Sequence, residues 1–545
     1  MTMTQITCSD AIIQYLIKNG VDTIFGIPGA QTYAFFDALS RYQDKIKLVV
    51  TRHEQGAGYM AYGYAKSTGK VGVYCVVPGP GVLNSTAALC TAHNTPVLCI
   101  TGEVPSEFVG IGHGMLHELD DQLGILKVLT KWAARINHSV DAPATMSNAF
   151  TQLTSGRQRP VAIEVPMDIF GQKATVDVNF PAIPSPAYEP LESKIKAAAE
   201  MLGKAKNPMI MVGSGAVDAK DEILQLAKLL QAPVVSFRGG RGIVSDDSPY
   251  GFNCAAGYKL YPEVDVMIGI GSRMELPAFR WQTGVATCKL VRIDIDPTQL
   301  TRLRGDVSIV ADATLATQAL LNVLEKDITP RASKEAHFEQ VKAQSWQEIQ
   351  KVQPQMTYLN IIREVMPRDG YIVEEISQVG FTSWLGFPVY EPRHLVTCGY
   401  QGNLGHGIQT GMGVKVANPD KVVMSIAGDG GFMFGVQELA TAVQFKIGLI
   451  ILLFNNNAYG NVRRDQINFF DGNVVGSELT NPDFVKLVES FGAKAYKSDS
   501  PEHFAALLEQ AVIDSKEGPV VIEIPCERGS ESSVWEFLMP AGYGN

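Results

Sequence analysis

The stretches "SIAGDGGFMF" (Ser425–Phe434) and "LLFNNNAYGN" (Leu452–Asn461) each place polar residues directly after an apolar run. Both runs, "KVVMSI" at 421–426 and "IGLIILLF" at 447–454, are continuous and rich in β-branched residues. Between them, "GVQELATAVQF" at 435–445 has apolar residues at helical spacing. This order predicts a βαβ unit with buried parallel strands. The aspartate and the asparagines then lie at the carboxyl ends of two strands, where α/β sheets bind ligands.

The residue types at this edge indicate a metal–diphosphate site. Gly428 and Gly430 allow the backbone to turn tightly beside Asp429. Carboxylate, amide and phosphate oxygens are the ligands that Mg²⁺ prefers. Two alternatives stay open, because Asp-Gly and asparagine runs are also common in plain turns. The other is a dinucleotide fingerprint, although Met433 stands where G-x-G-x-x-G has its third glycine.

The two stretches together resemble the GDG…NN signature of thiamine diphosphate enzymes. The 24 residues from 431 to 454 separate the two halves, and "FNNNAYGN" fits the N-N-x-x-Y-G variant of the signature. The resemblance implies thiamine diphosphate and Mg²⁺ as cofactors. It assigns the metal ligands as Asp429, Asn456 and the backbone carbonyl of Ala458. It also implies cofactor contacts at Gly428, Gly430 and Tyr459.

Length and composition indicate a globular enzyme with more than one domain. The chain has 545 residues, of which 46% are hydrophobic and 19% charged, as in folded soluble proteins. A net charge of -10 without a basic stripe argues against nucleic acid as a partner. No apolar stretch reaches 18 residues, no signal-type segment begins the chain, and the 8 cysteines form no C-x-x-C. We therefore expect no membrane association and a cytoplasmic location.

Two seams divide the chain. "FPAIPSPAYEP" at 180–190 is a proline-rich linker, and 325–351 is polar and charged. Helices and strands alternate on both sides of each seam, so we predict an α/β fold with three doubly wound parallel-sheet domains. In the terms of the resembled family, these are an N-terminal pyrimidine-binding domain at 1–180, a central Rossmann-like domain at 190–330 and a C-terminal diphosphate- and Mg-binding domain at 352–545.

A glutamate of the first domain precedes the helix predicted over "AGYMAYGYAKSTG" (57–69), in the stretch "VVTRHEQGAGYMAYGYAK". By itself, Glu54 could simply complement the helix dipole. In the resembled family, a glutamate in this motif hydrogen-bonds N1′ of the aminopyrimidine and favours the imino tautomer, which can take the C2 proton. The stretch "VVPGPGVLNSTAAL" resembles a G-P-G-x-x-N motif that sets Pro80 and Asn84 against the pyrimidine, although Asn84 also suits an ordinary strand-to-helix turn.

Two further stretches resemble cofactor-holding segments of the family. "CGYQGNLGHGIQTGMGVK" (398–415) resembles the segment that keeps the cofactor bent. Leu404 would wedge between its rings, and Gly402 would offer a carbonyl to its 4′-amino group. A plain core leucine is the alternative. "EEISQVGF" resembles a diphosphate-side loop, which makes Ser377 and Gln378 weaker contacts. Because these motifs lie in different domains, the resemblance implies a homodimer or homotetramer with active sites at the subunit interface.

The resemblance covers nearly the whole chain and is closest to acetolactate synthase-like and benzaldehyde lyase-like enzymes. It implies a carboligase or decarboxylase for a small 2-oxo acid, working through a C2 ylid and an enamine. A lyase or hydrolase for an acyloin or diketone is an alternative, and a non-catalytic cofactor-binding relative is a second. FAD in the central domain is possible but not favoured. Arg273, Asp294 and Asp296 match a flavin site only in part, and "GFNCAAGYKLYP" replaces the expected glycine- and histidine-bearing loop.

The substrate-side positions depart from the acetolactate synthase pattern. Leu116, His117 and Glu118 stand where those relatives carry Phe-Gln-Glu, and His117 could relay a proton unless it is a plain loop histidine. Ala30 and Gln31 follow the "GIPG" turn, where decarboxylases often carry an acid, serine or histidine. Small uncharged positions suit a small aliphatic or cyclic donor. The remaining candidates are Asn461 after the metal loop, as a polar catalytic group, and Trp535 in a tail that is either a lid or ordinary packing.

Overall fold

The computed structural model describes residues 3–177, 179, 186–281 and 288–537. The described part contains three six-stranded sheets, each with parallel strand pairs, and one antiparallel two-stranded ribbon. Helices flank every sheet, so the predicted α/β class with three parallel sheets is confirmed. Most of the predicted proline-rich linker and the chain after 537 lie outside the described residues. No helix in the described ranges has both the length and the apolar character needed to cross a bilayer.

The first sheet has the strand order β3-β2-β4-β5-β7-β6, and a separate antiparallel ribbon pairs β1, before this sheet in the chain, with β8, directly after it. The ribbon consists of β1 Met3–Thr7 and β8 Lys173–Asp177, and the strands of this sheet are β2 Thr23–Gly26, β3 Lys47–Val50, β4 Gly72–Val76, β5 Val97–Glu103, β6 Trp132–Arg135 and β7 Val161–Pro166. Its helices are α1 Cys8–Lys18, α2 Tyr33–Ser40, α3 Glu54–Thr68, α4 Pro80–Thr91, α5 Gln122–Leu129, α6 Ala142–Thr154 and α7 Met167–Gly171.

The central sheet has the order β11-β10-β9-β12-β13-β14, which is the 3-2-1-4-5-6 arrangement of dinucleotide-binding folds. Its strands are β9 Pro208–Val212, β10 Val234–Ser236, β11 Gly251–Asn253, β12 Val266–Ile270, β13 Lys289–Asp294 and β14 Val307–Val310. Its helices are α8 Glu192–Lys204, α9 Lys220–Leu230, α10 Cys254–Leu260, α11 Glu275–Phe279, α12 Pro297–Arg302 and α13 Ala313–Asp327, and α14 Glu335–Ile349 leads to the third sheet.

The third sheet has the order β16-β15-β17-β18-β20-β19. Its strands are β15 Tyr371–Val373, β16 Leu395–Val396, β17 Val423–Gly428, β18 Ile450–Asn455, β19 Lys494–Lys497 and β20 Val520–Pro525. Its helices are α15 Gln355–Val365, α16 Gln378–Gly386, α17 Gly407–Ala417, α18 Asp429–Gly435, α19 Glu438–Gln444, α20 Gly460–Phe469, α21 Phe484–Ser490 and α22 Pro501–Asp514.

The strand orders indicate where ligands can bind. In the first sheet, β3 and β4 lie on opposite sides of β2. In the third sheet, β16 and β17 lie on opposite sides of β15. The direction of winding therefore reverses between β2 and β4 and again between β15 and β17. In the central sheet it reverses between β9 and β12. Open α/β sheets bind ligands at such reversals, outside the carboxyl ends of the strands.

Each sheet and its flanking helices form one unit, called here the first, the central and the third unit. The third sheet lies between the other two units. Along β18, Ile450 and Leu452 belong to a core shared with the central unit, whereas Ile451 and Leu453 belong to a core shared with the first unit. This division follows from the alternation of side chains along a strand. A separate core fills the outer side of the first sheet. The first and third units come closest where α3 crosses α17, since a Cβ at Gly63 would collide with the backbone of Thr410.

Candidate active site

Asp429 stands at the winding reversal of the third sheet. It is the first residue of α18, directly after β17, and it is 2% exposed. Asn481 donates a hydrogen bond to Asp429 Oδ2 over 2.7 Å. Burial raises the pKa of Asp429, against the opposite effect of Asn481 and of nearby backbone N–H groups, including that of Ala458. These partners carry no charge, so a bound cation would stabilise the buried carboxylate.

Three side-chain oxygens gather around one amide nitrogen beside Asp429. The Asn481 Nδ2 atom lies within hydrogen-bonding distance of Asp429 Oδ2 at 2.7 Å, Asn455 Oδ1 at 3.0 Å and Asn457 Oδ1 at 3.3 Å. Carboxylate and amide oxygens are suitable ligands for a hard divalent cation. The donor set at this edge therefore fits Mg²⁺.

The asparagine loop starts where β18 ends, at Asn455. Asn456 is half-buried and donates a hydrogen bond from Nδ2 to Glu531 Oε1 over 2.8 Å. The backbone of Ala458 lies close enough to Asp429 for its N–H to influence that carboxyl group. Of the three predicted metal ligands, the structure thus brings Asp429 and Ala458 together, and the side-chain amide of Asn456 contacts Glu531.

The predicted diphosphate-side residues lie at the same edge. Gly428 ends β17 beside Ser377, since a Cβ at position 428 would be 3.5 Å from the Ser377 Cβ. Ser377 Oγ accepts a hydrogen bond from the Gly380 backbone N–H over 3.1 Å and so caps α16. The ring of Tyr459 covers Gly430 closely enough to exclude any side chain there. These residues surround the loop in which Asp429 stands.

Gln378 and Asn461 join the starts of α16 and α20. Gln378 donates a hydrogen bond to Asn461 Oδ1, and its own Oε1 accepts one from the Ser532 backbone N–H over 2.9 Å. The chain that follows β20 therefore passes over this edge of the sheet. Val534 then packs into the core that the central and third units share. The side chain of Trp535, predicted as a lid, lies outside the described residues.

Leu404 belongs to a loop that follows β16 and is half-buried. The neighbouring Asn403 accepts a hydrogen bond from Thr91 Oγ1 over 3.1 Å and donates one to the Tyr59 hydroxyl, so α4 and α3 of the first unit hold this loop. Gly402 is exposed, and a Cβ there would have no atom within 4 Å. Gly402 therefore borders open space next to the first unit, whereas Leu404 is partly covered.

Glu54 and Asn84 are in direct contact at the edge of the first sheet. Asn84 Nδ2 donates a hydrogen bond to Glu54 Oε2 over 3.0 Å. Pro80 is the first residue of α4, and the Glu54 side chain lies beside Gly81, 3.6 Å from the place that a Cβ at position 81 would take. The predicted helix start at 57 is wrong by three residues, because α3 begins at Glu54 itself.

The substrate-side candidates form a second polar pair on this edge. His117 Nδ1 lies 2.9 Å from Gln31 Oε1, and Gln31 Nε2 donates to the Leu116 carbonyl oxygen over 2.6 Å. Gln31 is 4% exposed, Leu116 is 62% exposed, and Ala30 is half-buried at the start of a short helical turn. Gly79 has φ 60°, and a Cβ there would be 2.5 Å from the His117 carbonyl oxygen, so this glycine lets the loop approach α4.

The structure adds three residues that the sequence patterns did not single out: Asn481 beside Asp429, Glu531 on Asn456, and Glu438. The Glu438 carboxylate accepts hydrogen bonds from the backbone N–H groups of Arg52 and His53, immediately before Glu54. In the helix predicted at 435–445, Glu438 lies on the side opposite the apolar face, where a charged residue is expected, so the local pattern gave no signal for it. Asn481 and Glu531 are 52 and 75 residues from their partners, and no local periodicity encodes such contacts.

The central sheet carries a cleft of about 440 Å³ at its own winding reversal. Arg273 and Asp294 line it, and the Arg273 guanidinium lies 4.5 Å from the centroid of the Tyr400 ring. Asp296 forms an ion pair with Arg157 over 3.0 Å. Of the three residues considered for FAD, Arg273 and Asp294 therefore line one cleft, and Asp296 pairs with Arg157, which also lines it.

The chain matches three family models along its length. They are described as "Thiamine pyrophosphate enzyme, N-terminal TPP binding domain" at residues 6–125, the central domain at 195–320, and the C-terminal TPP binding domain at 375–524.

A probable 2-ketoarginine decarboxylase of Pseudomonas aeruginosa is 32% identical over 89% of this chain and 88% of its own. The acetolactate synthase large subunit of Haemophilus influenzae is 30% identical, over 93% and 92% of the two chains. The acetolactate synthase isozyme 1 large subunit of Escherichia coli is 28% identical, over 99% and 97%. Because both thiamine-binding domain models match and these relatives align over most of their length, the chain belongs to the thiamine pyrophosphate enzymes, within their carboligase and decarboxylase group.

Proposed function

We propose that this enzyme uses thiamine diphosphate and Mg²⁺ to decarboxylate a small 2-oxo acid and to transfer the remaining acyl unit to an acceptor carbonyl. The observation that carries the proposal is the contact of Glu54 with Asn84 at one sheet edge, matched by Asp429 beside Ala458 at another. Bound thiamine diphosphate supplies an acidic carbon that can add to an oxo group. The rest of the work falls to side chains that bind, orient and move protons.

The proposed binding roles follow the two edges. Asp429, Asn456 and the Ala458 carbonyl would hold Mg²⁺, and Glu54 would hydrogen-bond N1′ of the pyrimidine. Leu404 would support the bent cofactor, and Asn461 would face the substrate. The remaining contacts would come from Pro80, Asn84, Ser377, Gln378, Gly402, Gly428, Gly430 and Tyr459. FAD is not part of this proposal, because Arg157 and Arg273 in and around the central cleft already have protein partners. We also propose a cytoplasmic location.

His117 is the proposed proton carrier for the substrate. Gln31 has a fixed amide orientation, because its Nε2 donates to the Leu116 carbonyl oxygen. Its Oε1 therefore faces His117 Nδ1, which must carry the proton of that 2.9 Å hydrogen bond. In the neutral ring this leaves Nε2 free to accept or return a proton at the reacting oxygen.

The absence of a permanent charge on either member of this pair suits the loss of a carboxylate. A fixed cation would bind the carboxylate of a 2-oxo acid more tightly before the reaction than after its charge has dispersed, and such binding does not lower the barrier. Gln31 and His117 bond to each other and to a carbonyl, and neither is bonded to a charged group in the described ranges. The pair therefore suits a site that binds the oxo acid without clamping its carboxylate.

The names of the relatives support a 2-oxo acid but do not select one. Identities of 32% to the 2-ketoarginine decarboxylase and 30% to the acetolactate synthase are nearly equal. We therefore expect purified enzyme with thiamine diphosphate and Mg²⁺ to release carbon dioxide from at least one of pyruvate, longer aliphatic 2-oxo acids and 2-ketoarginine. Carbon dioxide release and product mass are the measurements, with the Asp429→Ala enzyme as the blank. Cleavage of an acyloin or diketone, with every 2-oxo acid inert, would instead assign a lyase or hydrolase.

We expect His117→Asn to lower kcat/KM for the accepted 2-oxo acid by about 100-fold or more, because a general acid–base group is lost. Exchange of the cofactor C2 proton should stay at the wild-type rate, because His117 bonds to Gln31 whereas Glu54 bonds to Asn84. His113→Asn is the matched control, since it is an exposed histidine of the same loop. Equal kinetics for both variants would show that His117 carries no proton in the reaction.

We also propose a homodimer, or a tetramer built from it, in which the first unit of one chain faces the third unit of its partner. The hydrogen bonds of Glu54 and Asp429 described above stay within their own units. A hybrid of one Glu54→Gln chain and one Asp429→Ala chain should then keep about half the wild-type turnover, because a two-fold dimer would contain one intact site. Differently tagged chains would allow the hybrid to be isolated. An inactive hybrid beside an active wild-type dimer would place each site within one chain.

A further inference from the structure

Glu438 connects the third unit to the backbone on which Glu54 stands. It is the first residue of α19, 0% of it is exposed, and its carboxylate accepts hydrogen bonds from two backbone N–H groups of the first unit. Oε1 lies 3.0 Å from the Arg52 nitrogen and 2.9 Å from the His53 nitrogen, and Oε2 lies 3.2 Å from the Arg52 nitrogen. Along the chain, Glu438 is 386 residues from Arg52 and 385 residues from His53.

The contact is a cap supplied from another unit. Arg52 and His53 directly precede α3, whose first residue is Glu54. Backbone N–H groups at a helix start have no partner within the helix, and a carboxylate there is also stabilised by the helix dipole. Inside α19, Thr441 Oγ1 donates to Glu438 Oε2 over 2.7 Å and holds the carboxylate in place. The start of α3 is therefore fixed by a side chain from α19 of the third unit.

Gly56 makes this approach possible. A Cβ at position 56 would be 2.5 Å from Glu438 Oε1 and 2.7 Å from its carboxyl carbon. Any larger residue at 56 would push the carboxylate away from the two N–H groups. Glycine is less favourable than alanine within a helix, so its presence here suits the close contact rather than the helix.

We propose that Glu438 is a positioning residue for Glu54. By holding the backbone of residues 52–53, it keeps the Glu54 carboxylate where it can bond to Asn84 and reach the cofactor. The inference rests on the role given to Glu54 under the proposed function. It adds that the third unit of the same chain controls the geometry of the activating glutamate. Displacement of a reacting group by about 1 Å can cost on the order of 100-fold in rate.

The test uses Glu438→Gln, which keeps the size of the side chain but turns one of its two acceptor oxygens into a donor. In cofactor-free enzyme, hydrogen–deuterium exchange of the peptide that contains residues 52–56 should become at least about tenfold faster. In cofactor-bound enzyme, exchange of the C2 proton should slow by about 10- to 100-fold. The affinity for thiamine diphosphate, measured by calorimetry, should stay close to that of the wild type.

Two further variants distinguish a role of Glu438 in positioning Glu54 from a role in merely stabilising the packing of the first unit on the third. Gln444→Ala removes a different contact of α19 with this segment, an exposed 2.9 Å hydrogen bond from the Arg52 guanidinium, and should leave both exchange rates unchanged. Gly56→Ala displaces the carboxylate without altering Glu438 and should reproduce the Glu438→Gln effects. If Glu438→Gln only lowers thermal stability while both exchange rates match the wild type, the inference is wrong.

Failure of the inference can be told apart from failure of the proposed function. Glu54→Gln alone tests the function, because it should slow C2 proton exchange whatever Glu438 does. If Glu438 acts through Glu54, adding Glu438→Gln to Glu54→Gln should bring no further slowing. A slow Glu54→Gln enzyme with an unaffected Glu438→Gln enzyme would overturn only the role of Glu438.

Discussion

Glu54→Gln should bind thiamine diphosphate with nearly wild-type affinity yet exchange the C2 proton of the bound cofactor about 100- to 10,000-fold more slowly, which is the range for loss of a general acid–base contribution. Glutamine has the size of glutamate and can still accept the 3.0 Å hydrogen bond from Asn84. It cannot share a proton with N1′ as a carboxyl group does. The substitution therefore distinguishes binding of the pyrimidine by residue 54 from activation of the cofactor by the Glu54 carboxyl group.

The measurement is deuterium incorporation at C2, stopped by acid and read by NMR, with cofactor affinity from calorimetry. Glu200→Gln is the matched control, because it makes the same chemical change on an exposed helix of the central unit. A wild-type exchange rate in Glu54→Gln would remove the glutamate from the mechanism. A large loss of cofactor affinity would instead make Glu54 a binding residue.

The sequence was most informative where short apolar runs end in glycine or polar residues. β17 ends at Gly428 and β18 at Asn455, within two residues of the predicted strand ends. A strand buried on both faces must be continuously apolar, so its end is visible as a change in composition. Since carboxyl ends of parallel strands share one edge, the proximity of Asp429 to the asparagine loop followed from local patterns alone.

Helix starts were less predictable because their caps depend on unusual side chains. α3 begins at Glu54 because His53 Nδ1 accepts a hydrogen bond from the Gln55 backbone N–H over 3.1 Å. Ser, Thr, Asp and Asn are the residues by which helix starts are normally recognised, so a histidine cap escapes a sequence-based search. The helix predicted as one piece at 435–445 is split, with α18 starting at Asp429 and α19 at Glu438.

Contacts between units could not be predicted at all. Glu438 reaches Arg52 and His53, and Asn403 reaches Thr91 and Tyr59, across more than 300 residues in each case. Such contacts depend on how the sheets pack, which the periodicity of one segment does not encode. The same strand order in the first and third sheets also emerges only in three dimensions, because the two share no evident sequence repeat.

Asp429→Ala should weaken Mg²⁺-dependent binding of thiamine diphosphate by more than about 100-fold, because even the residues that only support a metal ligand are worth about 10- to 100-fold. Chelation of Mg²⁺ from the wild-type enzyme should release the cofactor to the same extent. Asp420→Ala is the control, since Asp420 is an exposed aspartate of the same unit. Calorimetric titration with thiamine diphosphate, with and without Mg²⁺, measures both effects.

The expected loss is large because Asp429 is the charged member of its ligand set. Its neighbours Asn455, Asn457 and Asn481 are neutral amides, and the remaining proposed ligands, Asn456 and the Ala458 carbonyl, carry no charge either. Without the carboxylate, the protein would offer a divalent cation only amide and carbonyl dipoles. Binding of the cation would then not repay the loss of its hydration, and the negative diphosphate would lose the cation that offsets its own desolvation. Asp429→Asn keeps the size and one oxygen but removes the charge, so it should fail almost as completely as Asp429→Ala. If Asp429→Asn bound the cofactor with wild-type affinity, the metal would have to be held elsewhere and the edge formed by β17 and β18 would lose its proposed role.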